Sequence, residues 1–157
     1  MPAIFPAPDH DHARCTAEVI AHAETLCRER HQRLTPMRRQ VLEVLAESHK
    51  PLGAYEIMER IPDARPAPIT IYRALDFLIE HGLVHRIESR NAFLACVHNH
   101  EVGALVAFLI CERCGAAGEA PAAAISQTVA SAARSIGFSP KMSVIEITGV
   151  CAHCRTT

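Results

Sequence analysis

Cys111-Glu112-Arg113-Cys114 and Cys151-Ala152-His153-Cys154 repeat a single two-residue spacing, forty residues apart. Two thiolates so spaced can turn a tight knuckle and face one ion, and two knuckles supply the four soft ligands of a closed, tetrahedral, structural zinc site. Structural disulfides and a redox Cys-X-X-Cys are the other readings. Duplicated spacing is what a metal needs and what a redox centre does not, so zinc is the expectation. Gly115 follows the first knuckle, where a permissive backbone eases the turn. The two pairs bracket the C-terminal third of the chain, which a bound metal would close into a unit of its own.

Between the knuckles the pattern reads as a small α/β unit. Residues 104–110 and 116–119 are strand candidates, 121–136 an Ala-rich helix with Pro121 in its first turn and Ile125, Val129 and Ala132 on one face, and 142–148 a β-rich run into the second knuckle. An exposed sheet edge there would suit pairing across a two-fold axis. Upstream, apolar residues recur at helical spacing in 13–31. Thr35-Pro36 marks a helix start, 54–61 a short helix, and Pro66 and Pro68 an extended connection. Residues 70–81 carry the stripe Ile71, Leu75, Leu78 and Ile79, and Gly82 supplies the stop. At 100° per residue Arg73 sits about opposite Ile71 and Tyr72 on the flank. Two β-prone runs, 83–87 and 92–96, form a hairpin.

The expected class is therefore α+β: a winged helix-turn-helix over 13–96, a connector over 97–103 holding His98 and His100, and a zinc-binding dimerisation domain over 104–157. The first twelve residues read as a disordered arm with no signal-peptide pattern. Seven cysteines without a secretion signal point to a reducing cytoplasm and to metal-bound or free thiols. The formal net charge is −1, with twelve basic and thirteen acidic residues up to Cys96 and four of each after it. Nucleic-acid binding must then rest on local clusters, of which Arg28, Arg30, Arg33, Arg38 and Arg39 form one suited to phosphate contact.

Leu34-Thr35-Pro36-Met37-Arg38, Thr70-Ile71-Tyr72-Arg73-Ala74-Leu75, Ile110-Cys111-Glu112-Arg113-Cys114-Gly115 and the closing cysteine pair together resemble the ferric uptake regulator family from about Cys27 to Cys154. Tyr72 to Leu78, with His85 and Cys96, resembles its zinc uptake regulators most. The resemblance implies a homodimeric, zinc-loaded repressor that binds double-stranded operator DNA and controls zinc uptake genes, with no membrane or small-molecule partner. It assigns the helix over 70–81 to the major groove, with Tyr72 and Arg73 meeting DNA, Thr70 at the start of the same helix and Tyr55 at a further contact position. An arginine there can pair with guanine or with a phosphate.

The same resemblance implies a regulatory zinc on His85, Cys96, a connector histidine and Glu119. In this chain His98-Asn99-His100 lies ten residues before Cys111, so either histidine can be the third ligand. His100 is favoured because its distance from Cys96 lets the loop fold back. In an odd-register hairpin His85 and Cys96 share a face at about 7 Å. A thiolate ligand favours zinc over the oxygen and nitrogen sites of iron sensors.

The competing readings are an iron- or peroxide-responsive regulator of the same family, a zinc-ribbon interaction module, and a zinc hydrolase or deaminase. Neither cysteine pair follows a proline, Ile110 and Val150 standing in those places, and four thiolates leave zinc no open position, so no catalysis is expected.

Overall fold

The computed structural model describes residues 4–5, 10–62, 65–97, 104–120, 122–141 and 143–156. Two compact units divide the chain, Ala7–His98 and a second made of Asn99–Thr157 with Met1–Pro6.

In the first unit, Asp11 caps α1 (His12–Glu29) by accepting from the Arg14 amide at 3.2 Å. Thr35 caps α2 (Pro36–Ala46) by accepting from the Arg38 amide at 3.4 Å, with Pro36 in the first turn. At α3 (Ala54–Arg60) the Glu56 carboxylate reaches back to the Gly53 amide, 2.8 Å away. The fourth helix, α4, spans Pro68–Glu80, two residues longer than the expected start at Thr70. Proline lacks an amide that the first turn would leave unpaired anyway, and its fixed φ suits that turn; Ala67 before it is extended, as a residue preceding proline must be. Gly82 ends α4 at φ +71°, with the Leu83 amide on the Leu78 carbonyl and the Gly82 amide on that of Ile79. This is a Schellman closure, and its left-handed residue favours glycine.

The wing is β1 (Val84–Ile87) against β2 (Ala92–Ala95), with His85 opposite Leu94, joined by a turn whose Asn91 is left-handed at φ 45°. Leu52 adds a third rung by exchanging both backbone hydrogen bonds with Phe93, which the sequence reading does not include. Val41, Leu42, Leu45, Ile57, Ile71, Leu75, Leu78 and Leu83 fill the core of this unit.

The second unit has β3 (Val106–Cys111), β4 (Ala117–Ala120), α5 (Ala123–Ser135), β5 (Val144–Gly149) and α6 (Ala152–Arg155). The sheet order is β4-β3-β5, with β4 antiparallel and β5 parallel to β3. The short α6 is absent from the sequence reading; Pro121 and Met142 lie outside the described residues. The expected apolar face of α5 is present but outward: Ile125 is 42 % and Val129 37 % exposed, while Ala133 is buried. Of the expected N-terminal arm, Ile4 lies so close to Gly118 that a Cβ there would collide with its carbonyl. Residues 1–3 and 6–9 of the arm lie outside the described set.

Leu75 is fully buried, so Leu75→Ala should destabilise the first unit by about 2–5 kcal/mol. Thr35→Ala, which removes only a cap, should cost about 1 kcal/mol. Urea unfolding of the two variants measures the difference.

Candidate metal centres and nucleic-acid interface

Parallel pairing builds the cysteine cluster. Cys111 lies opposite Gly149 at the ends of β3 and β5, and the Glu112 amide continues the ladder to the Gly149 carbonyl at 2.9 Å. The first knuckle is itself the β3–β4 turn, closed by Gly115 at φ +77°, and the second starts at Cys151, the cap of α6. Both knuckles thus emerge at one end of the sheet. Arg113 ties them by donating to the Cys154 carbonyl at 2.7 Å.

The four sulphurs lie within 4.8 Å of one another, with Cys114 and Cys151 Sγ 3.9 Å apart. A disulfide needs about 2.05 Å, whereas two sulphurs about 2.3 Å from a tetrahedral ion stand roughly 3.8 Å apart. The separation fits a metal and not a disulfide. None of the seven cysteines is in a disulfide. Amides of Cys114 and Cys151 aimed at the Cys111 sulphur lower its pKa to about 6, whereas the neighbouring Cys151 sulphur, burial and the other cluster thiols push Cys154 up to about 12. A cation would remove that conflict by stabilising all four thiolates together.

On the wing, the register His85 opposite Leu94, with the Cys96 amide on the Leu83 carbonyl, makes His85 and Cys96 diagonal neighbours on one face. Their ligand atoms lie within 4.8 Å, and Cys96 is buried. Glu119 is on β4 opposite Phe108, half-buried, in the second unit. His98 and His100 lie outside the described residues.

The α4 stripe faces inward, leaving Tyr72 and Arg73 exposed in its first half and Thr70 half-buried. Tyr55 is 61 % exposed and borders one shallow groove with Met58, Pro68 and Tyr72. The arginine cluster is divided by its contacts. Arg38 stacks 3.5 Å above the Phe77 ring and donates to the Arg33 carbonyl at 2.6 Å, which braces α4 against α2. Arg39 pairs with Glu24 and, at 3.0 Å, with Glu43, so it clamps α1 to α2. A third group of potential ligands, His10, His12 and His49, was not assembled by sequence reasoning; its only sequence signal is the pair of histidines flanking Asp11.

The pattern of the ferric uptake regulator family matches residues 29–148, and the chain belongs to that family. Within it the similarity runs to zinc uptake regulators. The zinc uptake regulation protein of Escherichia coli (strain K12) is 38% identical over 141 residues, covering 88% of this chain and 82% of that protein. A zinc uptake regulator complexed with zinc and DNA superposes with a TM-score of 0.81 at 37% identity, over 90% of this chain and 95% of that one. Holo XcZur gives 0.82 at 42% identity, over 90% and 99%.

Cys111→Ser and Cys151→Ser should each lower zinc per chain and cost the second unit its cooperative unfolding, because a site absent from the unfolded chain makes metal affinity folding energy. Zinc assay after mild chelation beside thermal unfolding checks this; full zinc and an unchanged melt would refute it.

Proposed function

We propose that the chain is a zinc-responsive transcriptional repressor, acting in the cytoplasm as a zinc-loaded homodimer on operator DNA to control zinc uptake genes. The observation that carries the reading is the pairing on one winged unit of an outward Tyr72-Arg73 helix with a mixed nitrogen and sulphur ligand pair, His85 and Cys96. The names of its relatives support the metal and the DNA. One zinc is structural, on Cys111, Cys114, Cys151 and Cys154. A second is regulatory, on His85, Cys96, Glu119 and His100, with His98 as the alternative to His100. The iron-sensing reading is weaker because Cys96 supplies a soft thiolate.

Dimerisation is supported by the outward apolar side chains of the second unit, Ile125 and Val129 on α5 with Val144 and Ile147 on β5. A second copy of the same surface is the partner that a two-fold interface supplies. Zinc acts by linkage: it raises DNA affinity only as far as it binds the DNA-competent arrangement better than others. No helix among the described residues is long and apolar enough to cross a membrane.

Tyr55, Thr70, Tyr72 and Arg73 meet the operator, and Arg38, while bracing α4, keeps further N–H groups for a phosphate. Arg73→Ala should weaken operator binding by about 1–3 kcal/mol and relax base preference, while Arg38→Ala should weaken all DNA binding alike and flatten the salt slope. Competition binding to operator and scrambled duplexes across a salt series separates them; unchanged discrimination in Arg73→Ala would remove it as a reader.

His85→Ala, Cys96→Ser and Glu119→Ala should each retain fold, dimer and knuckle zinc but lose the rise of DNA affinity with zinc. Of His98→Ala and His100→Ala only the ligand's variant should do so. Zinc, iron and manganese titrations of operator binding decide the metal, and a normal zinc response in both His85→Ala and Cys96→Ser would place the sensor elsewhere.

A further inference from the structure

His10 and His12 flank the α1 cap, and His49 lies on the turn after α2, yet their three rings meet. Centroids are 4.3 Å apart for His10 and His12, 4.4 Å for His10 and His49, and 5.0 Å for His12 and His49. One ring nitrogen from each falls within 4.8 Å of the others, and the Nε2 atoms of His10 and His49 are 2.7 Å apart. We infer that His10, His12 and His49 form a third metal site, a three-imidazole site for a divalent cation of the zinc type within the DNA-binding unit.

Both sides of the site are held. Asp11, between the two N-terminal ligands, is fixed by capping α1, and the Ser48 hydroxyl closes the turn around His49 through the Lys50 backbone. A hydrogen bond between imidazoles accounts for His10 and His49 but not for the convergence of His12 on the same point. Burial, then the charges of His10 and His12, lower the pKa of His49, which favours the neutral ring that a metal requires. Two nitrogens about 2.0–2.1 Å from a tetrahedral ion stand roughly 3.3 Å apart, so the His10–His49 pair needs to open by only about 0.6 Å.

Three neutral nitrogen donors suit zinc, cobalt, nickel or copper and exclude calcium and magnesium, which want oxygen. Three ligands also leave one position for water, so this site binds more weakly than four thiolates. It shares no residue with the knuckles or with the regulatory set. When filled, it would fasten the chain just ahead of α1 to the α2–α3 turn of the helix-turn-helix.

Cobalt titration of the full-length Cys96→Ser protein, with its knuckle zinc in place, isolates this site. Uptake of a further cobalt ion per chain is expected, with d–d absorption and without the thiolate-to-cobalt band. That uptake should be lost when His49→Ala or His12→Ala is added. Ring-nitrogen NMR of the same protein under zinc should move all three histidines together, a readout that needs no variant to fold. Equal cobalt uptake with and without His49, a thiolate band on the added ion, or zinc that leaves the three rings unshifted would each overturn the site. An adventitious ion would bind the double variant as well as its parent. Failure here leaves the zinc response of the His85 and Cys96 set untouched, and failure of that response leaves this titration standing.

Discussion

The second unit depends on the pairing of β3 with β5 in parallel register. Parallel strands need a crossover, and α5 supplies it, returning the chain so that Cys111 and Cys151 reach the same end of one sheet. One apolar cluster of this sheet has Leu105, Ala107 and Ala122 buried and Ala120 and Ile145 packed against it, and the intervening β3 residues Val106, Phe108 and Ile110 are buried as well. Units of this size commonly depend on a metal or a partner for their stability. Four convergent thiolates meet the first need. The homodimer we propose would meet the second on the outward apolar face of α5.

Much of this was legible because local chemistry announces itself locally. Thr35-Pro36, Gly82 and the stripe from Ile71 to Leu78 specify helix ends and an inward face without reference to distant residues, and α2 and the body of α4 follow them. Pro68 belongs to the first turn of α4 and not, with Pro66, to an extended connection, because proline is at home in a first turn. The duplicated Cys-X-X-Cys was legible as a metal site, but spacing alone cannot say that β3 and β5 run parallel; that follows from the crossover. His49 is separated from His12 by all of α1 and α2, so nothing in its neighbourhood marks it as part of a cluster. The arginines teach the same lesson. Five basic residues look alike in sequence, but partners from elsewhere decide their roles, Phe77 for Arg38 and Glu24 for Arg39.

The ligand sets differ in what they can control. The four knuckle cysteines belong to one unit, so a metal there stabilises that unit in every arrangement of the chain. It therefore cannot bias one arrangement over another, because a ligand shifts an equilibrium only through differential affinity. The regulatory set we propose draws its ligands from both units, which gives it that capacity. This separates a zinc that is part of the fold from a zinc that reports concentration, and it explains why the second should use fewer thiolates and exchange more readily.

The surface proposed to face DNA sets the remaining requirement. One helix presenting Thr70, Tyr72 and Arg73, with Tyr55 beside it, can reach only a few base pairs, and each good base contact discriminates by about 1–3 kcal/mol. Specific regulators separate their sites from non-specific DNA by about 4–10 kcal/mol. Nor can bulk electrostatics close that gap, since the chain is nearly neutral and phosphate attraction carries no sequence information. Two copies joined by a two-fold axis double the number of readers and require the operator to repeat its half-site at the spacing of the two helices. The homodimer we propose answers both the modest reading surface of α4 and the outward apolar face of α5, because the same two-fold axis that doubles the readers also covers that face.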